Sequence, residues 1–187
     1  MPEPVAQPWT DNVRRLARAP WWDGTSVNRV QDNYVAQWGD PDGEDAGKAK
    51  TLPAGLNTMT EAEYVVTIDA IAKAETLVID ASQLAEWQAK LAAEDADGKR
   101  ALAGTIPQTA PRGWHQRDSY AAWTEVHRGW PLGGDGERMW PVHCYGAVGV
   151  GRNLSPDTGS GAELYAVIGH APRHLDRNIA VVGRVVE

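Results

Sequence analysis

Arg29 lies in Trp22-Asp23-Gly24-Thr25-Ser26-Val27-Asn28-Arg29-Val30, where one guanidinium sits among residues that favour an extended chain. Shortly after it, Tyr34-Val35-Ala36-Gln37-Trp38-Gly39-Asp40 brings an aromatic ring, an aliphatic side chain and a primary amide. A guanidinium only donates hydrogen bonds, whereas an amide both donates and accepts. By spacing alone, an Arg flanked by Val on alternating strand positions reads as a surface or ion-pair residue. Other constellations are weaker. His170 and His174 stand four apart, a metal spacing on a helix, but Pro172 between them breaks the helix that the spacing needs. His143 and Cys144 are adjacent and point to opposite faces of a strand, so Cys144 reads as buried filler rather than an activated thiolate. Ser155-Pro156-Asp157-Thr158-Gly159-Ser160-Gly161 has no Lys and reads as a turn, not a phosphate loop. Residues 40–45 only faintly match the oxygen spacing of a calcium loop.

The elements that must carry these residues are short. Thr10 is placed to cap a first helix whose face holds Val13, Leu16 and Ala17, and which Pro20 stops. Arg14, Arg15 and Arg18 of that helix face water. Two extended pieces follow, at 27–30 and 34–38, with Gln31-Asp32-Asn33 as the turn of a hairpin. Thr60 and Glu63 resemble a capping box, yet Tyr64-Val65-Val66-Thr67-Ile68 favours a strand, and strand is the preferred reading. Residues 82–97 form the best helix, with Leu84, Trp87 and Leu91 on one face and a Glu86–Lys90 pair on the wet side. The Gly, Pro and Trp content of 98–141 predicts an irregular excursion over the surface. Short β segments return at 146–150, 164–168 and 179–186, and their turn-rich connections argue a barrel or sandwich.

Composition limits the function classes. The 187 residues carry 18 basic and 25 acidic side chains, a net charge of -7, so no basic excess exists for tracking nucleic-acid phosphates. One cysteine excludes an internal disulfide framework and a cysteine-rich zinc module. No run approaches the roughly 18 apolar residues that span a bilayer. Met1-Pro2-Glu3-Pro4 lacks the charged and apolar regions of an export signal. The chain has nine Trp and no Phe, so any aromatic wall must be Trp or Tyr. Acidity concentrates between Asp40 and Asp97, which sets the middle apart from the flanks and marks it as inserted.

Taken in order, the blocks around Arg29 and Gln37, with Gly149 onward to His174-Leu175-Asp176-Arg177-Asn178 and Val182-Gly183-Arg184-Val185, resemble the cyclophilin family of peptidyl-prolyl isomerases. The resemblance covers about residues 1–45 and 145–187. It implies a mainly β fold, a cyclophilin-like antiparallel β-barrel with a capping helix, here incomplete. The domain runs over 1–187, with a long, partly irregular insertion at 46–141. It also implies two opening strands and a closing helix and strand that these residues do not supply, which leaves open sheet edges. Arg29 falls at the catalytic arginine and Gln37 at a glutamine that holds substrate backbone. Tyr34 and Val35 fall in the proline pocket, Gly151 and Arg152 beside the peptide, and Glu163 at a second glutamine. Tyr165 matches a pocket Phe, His174 and Leu175 a Trp-Leu pair, and Ile179 a frequent His. Glu163 and Ile179 are departures that favour a peptide-binding or chaperone module without turnover.

The implied activity is rotation about X-Pro bonds in proline-containing segments of client proteins, without cofactor or metal. A periplasmic setting is implied by relatives with a comparable insertion. Amide resonance sets a barrier of roughly 18–20 kcal/mol, and no covalent nucleophile is needed to lower it. A guanidinium aimed at the prolyl nitrogen bonds the lone pair that appears as resonance is lost, an interaction stronger in the twisted state than in either planar one. Tyr34, Val35, Tyr165 and Leu175 would grip the ring, although by spacing alone they are ordinary core. A third reading assigns the biological role to the acidic, Trp-rich middle and leaves the barrel as scaffold.

Overall fold

The computed structural model describes residues 5–70, 118–127, 129–135 and 137–186. Helix α1 (Gln7–Arg18) buries Trp9, Asn12 and Leu16 and turns Arg14, Arg15 and Arg18 to water. It starts earlier than the sequence suggests. Thr10 lies inside the helix, its hydroxyl donating to the Ala6 carbonyl at 3.0 Å, and Pro8 occupies the first turn, where no amide hydrogen is required. Ala17 is exposed rather than on the buried face.

Among the described residues nine strands follow, and each of their pairings is antiparallel. They are β1 (Ser26–Gln31), β2 (Val35–Gly39), β3 (Val66–Thr67), β4 (Trp123–His127), β5 (Trp130–Gly134), β6 (Arg138–Pro141), β7 (Ala147–Val150), β8 (Leu164–Val167) and β9 (Val181–Arg184). One sheet has the order β1-β2-β8-β7-β9 and the other β3-β6-β5-β4. The fold is mainly β, and among the described residues the two sheets do not join into a closed ring. The hairpin over 26–39 and the strands of the second flank stand where the sequence places them.

Two sequence expectations change. Of the irregular excursion expected over 98–141, the described residues from 123 on form the three strands β4, β5 and β6. The Gly133 and Gly134 that read as turn signals pair with Trp140 and Trp123, and the Trp123 ring lies where a Cβ on Gly134 would stand. Around Thr60 both local signals are obeyed in turn. The Thr60 amide donates to Glu63 Oε2 at 2.6 Å at the head of a 3-10 turn (Glu61–Tyr64), and β3 comes next. The helix expected at 82–97 lies outside the described residues.

A core shared by α1 and both sheets unites Trp9, Tyr64, Leu132, Met139, Val150 and Leu164. Trp9 stacks on Tyr64 with ring centroids 5.3 Å apart, and its indole N–H donates to the Thr158 carbonyl at 3.0 Å. A second apolar cluster of Val35, Ala147, Tyr165, Val167, Leu175 and Val181 covers the opposite face of the five-stranded sheet.

Candidate functional site

Register decides which side chains share that opposite face. Residues directly opposite on paired strands project to the same side, and alternation carries the side along each strand. Arg29 pairs with Gln37, Gln37 with Tyr165, and Tyr165 with Gly149. Val35 lies two residues from Gln37, and Glu163 two from Tyr165. The sheet therefore presents Arg29, Val35, Gln37, Glu163 and Tyr165 together. A bulge at Asn28 makes this possible, since the register shifts between Val27 and Arg29.

The turn between β1 and β2 aims the next residue. Asn33 is left-handed, with φ 53°, and the Tyr34 amide donates to the Gln31 carbonyl at 3.1 Å. Asn33 packs so closely on Gly169 that no Cβ fits there, and its side-chain oxygen accepts from the His170 amide at 3.1 Å. This seats Tyr34 beside the loop after β8. Its ring stacks on His174 with centroids 5.9 Å apart and 14° between planes, and its hydroxyl lies 3.2 Å from His174 Nε2. Leu175 is buried in the same cluster, and Tyr34 and Ile179 flank it. The expected pocket residues Tyr34, Val35, Tyr165, His174, Leu175 and Ile179 are thus neighbours.

Tyr165 lies flat across the sheet, its hydroxyl over Gly149 where a Cβ has no room. His143 is stacked on it and fully buried, with Nε2 2.9 Å from the hydroxyl. The other ring nitrogen, Nδ1, is 3.0 Å from Asp176 Oδ1, which also accepts the His143 amide at 3.0 Å. A carboxylate can only accept, so Nδ1 carries a proton toward Asp176, and in the Nδ1–H tautomer Nε2 is the acceptor for the Tyr165 hydroxyl. Burial pushes the Tyr165 phenol far up, which keeps that hydroxyl a donor. Arg173 Nε donates to Asp176 Oδ2 at 2.5 Å and Nη1 to Asp118. Burial opposes the Arg173 charge, but Asp176 and Asp118 outweigh it and raise its pKa. Burial would raise the Asp118 carboxyl, yet the hydrogen bond from Arg173 and the Tyr120 amide hold it below its usual range. The Tyr165 hydroxyl, a polar atom in an apolar floor, is therefore fully compensated.

The outer part of the face is polar. Gln37 Nε2 donates to Glu163 Oε2 at 2.6 Å. The Glu163 side chain runs between two glycines: a Cβ on Gly39 would stand 2.8 Å from its Cγ, and one on Gly151 2.9 Å from its Cβ. Arg29 is exposed, and its Nη2 donates to Gln31 Oε1 at 2.7 Å, its one hydrogen-bond partner among the described residues. Arg152 is turned elsewhere, with Nη2 on Asn178 Oδ1 at 2.6 Å and Nη1 on the Asn153 carbonyl at 2.8 Å. It is the one expected groove residue whose guanidinium is tied to loops beside the site rather than to its residues.

A family model for cyclophilin type peptidyl-prolyl cis-trans isomerase/CLD matches residues 6–187. The chain belongs to the cyclophilin family. The match spans both flanks and the middle, where the sequence resemblance covered the flanks alone. Among solved structures, this cyclophilin is similar to cyclophilin AquaCyp293 from Hirschia baltica, with a TM-score of 0.57 and 18% identity. That similarity covers 98% of this chain and 57% of the other, so the cyclophilin described here spans little more than half the length of that relative. A search of curated proteins found no match.

Sequence reasoning did not assign His143, Asp176, Arg173 and Asp118 to the site, nor the spaces left by Gly39 and Gly149. Their spacing carries no signal, because register and burial alone bring them under Tyr165. The remaining candidates find ordinary partners. His170 Nδ1 is 3.2 Å from Asn33 Nδ2 while His174 engages Tyr34, so the two rings serve different contacts. Asp40 accepts the amides of Asp42 and Lys50 at 3.1 and 2.5 Å and closes its own turn. Burial pushes the Cys144 thiol up, away from thiolate chemistry. Among the described residues no helix is long and apolar enough to cross a membrane.

Proposed function

We propose that this chain catalyses cis-trans rotation about X-Pro bonds in proline-containing segments of client proteins. The observation that carries this reading is the register that sets Arg29 beside Gln37, on the face formed by Val35 and Tyr165. The proline ring rests against Tyr34, Val35, Leu175 and Ile179, with Tyr165 as floor and His174 steadying Tyr34. Arg29 leaves Gln31 and donates to the prolyl nitrogen as the amide twists. That donation is absent from either planar state, so it lowers the barrier rather than deepening a ground state. Gln37 and Gly151 flank the extended backbone of the client, while the Arg152 guanidinium stays on Asn178 and Asn153 beside it. The reaction needs no cofactor or metal in this scheme, since no bond is made or broken.

One observation favours a second reading, a groove that binds without turnover. Gln37 already donates to Glu163 at 2.6 Å, which occupies one of the two amide hydrogens available to a substrate carbonyl. A protease-coupled isomerisation assay on a short X-Pro peptide separates the readings. Catalysis predicts acceleration by the wild type and a loss of about 100-fold in Arg29→Ala, the size expected for one preorganised donor. Equal rates with the two proteins, with peptide still bound, support the binding module instead.

A further inference from the structure

Glu163 is a half-buried carboxylate with one hydrogen-bond donor, Gln37, and among the described residues no cation pairs with it. An ionised carboxylate has about four lone-pair positions, so most of its capacity is open. Gly39 and Gly151 make its place: the stem fills the room that a Cβ at either position would take. The turn after β2 adds to the negative field, because Gly43 borders Glu163 Oε1 and the Asp40 carboxylate closes the same turn. Neither nearby guanidinium neutralises it. Arg29 donates to Gln31, and Arg152 is held by Asn178 and Asn153. A partly desolvated charge without a counter-ion is costly, and a cation that arrives with a ligand recovers part of that cost.

Resting on the groove assigned above, we infer that Glu163 makes the site select client segments with a Lys or Arg within about three residues of the proline. Geometry sets that spacing. Glu163 is two strands away from Arg29 and two residues along, and strands lie about 4.8 Å apart with about 3.3 Å per residue. The diagonal is about 12 Å, the reach of two extended residues plus a long basic side chain. The groove is then polarised, with a guanidinium where the amide twists and a carboxylate where the flank is read.

The test uses matched fluorescent X-Pro peptides that differ only in Lys, Gln or Glu at two and three residues to either side of the proline. Binding is read by anisotropy and turnover by exchange NMR. The expected result is Lys over Glu by about tenfold in affinity for at least one position, shrinking with added salt as a partly exposed charge pair does. In Glu163→Gln, which keeps the shape and an acceptor for Gln37, the ratio falls to near one. Equal affinity of the wild type for Lys and Glu peptides at every position overturns the inference, as does an unchanged ratio in Glu163→Gln. The salt series needs no variant: a Lys preference that added salt leaves untouched overturns the inference as well. A Lys preference with no turnover leaves the inference standing and sinks only the catalytic reading, whereas absence of binding to every peptide sinks both.

Discussion

At the scale of single residues, the polar atom in the apolar floor of the proposed pocket is the least expected feature of the site. A tyrosine in place of a phenylalanine would bury an unsatisfied hydroxyl, and His143, oriented by Asp176, removes that cost. His143→Ala should therefore destabilise the fold by about 3–5 kcal/mol, because it leaves Asp176 short of a partner as well as opening a cavity. Tyr165→Phe should cost about 1–3 kcal/mol, the penalty for one buried nitrogen without its donor. Both are read from urea unfolding midpoints. The direction of the Tyr165 shift also fixes a pH dependence. Its folded pKa is raised above the unfolded value of about 10, so this contribution is complete below about pH 10 and is lost as pH rises beyond it. Stability should fall in that alkaline range, and less steeply in Tyr165→Phe. Arg29, Tyr34 and Gln37 are picked out in the sequence only by the resemblance carried by the blocks at 22–30 and 34–40, since by spacing alone Arg29 is a surface residue and Tyr34 ordinary core. The His143–Asp176 pair is not, because its members are 33 residues apart and meet only through packing.

At the scale of elements, glycines do the positioning. Gly149 sits beneath the Tyr165 ring, and Gly39 and Gly151 flank the Glu163 stem. Gly149→Ala places a methyl where the phenol lies, which must push the ring off His143. The expected cost is about 1–3 kcal/mol, as for other overpacked sites, with peptide binding weakened in parallel. Unchanged melting and binding in that variant would show that the ring does not need its seat. The same device explains why the strands over 123–141 are hidden from a sequence reading. Gly133 and Gly134 break a strand by propensity, but here they make room for Trp140 and Trp123 across the sheet, so tertiary packing overrides the local signal. The hairpin over 26–39 is legible because its turn residues and its alternation agree. In α1, Pro8 is the better start signal than Thr10.

At the scale of the whole molecule, the described parts of the middle pack together with the flanks. Met59, Tyr64, Leu132 and Met139 share one core with Trp9, Val150 and Leu164, so the sheet of β3 to β6 and the sheet that bears the site stand on common ground. Trp9→Ala should cost about 3–5 kcal/mol and lower the protection of amides in both sheets together in hydrogen exchange. Protection lost in one sheet alone would show two independent units. The acidic balance of the middle is a real compositional shift, but charge reports solubility and partners, not packing, and could not reveal this shared core. The central claim is tested most directly by exchange NMR on an X-Pro peptide with the wild type and Arg29→Ala at peptide concentrations that saturate both. Loss of about 100-fold in the exchange rate with peptide affinity nearly kept is the predicted result. An exchange rate that survives the loss of the guanidinium would contradict it.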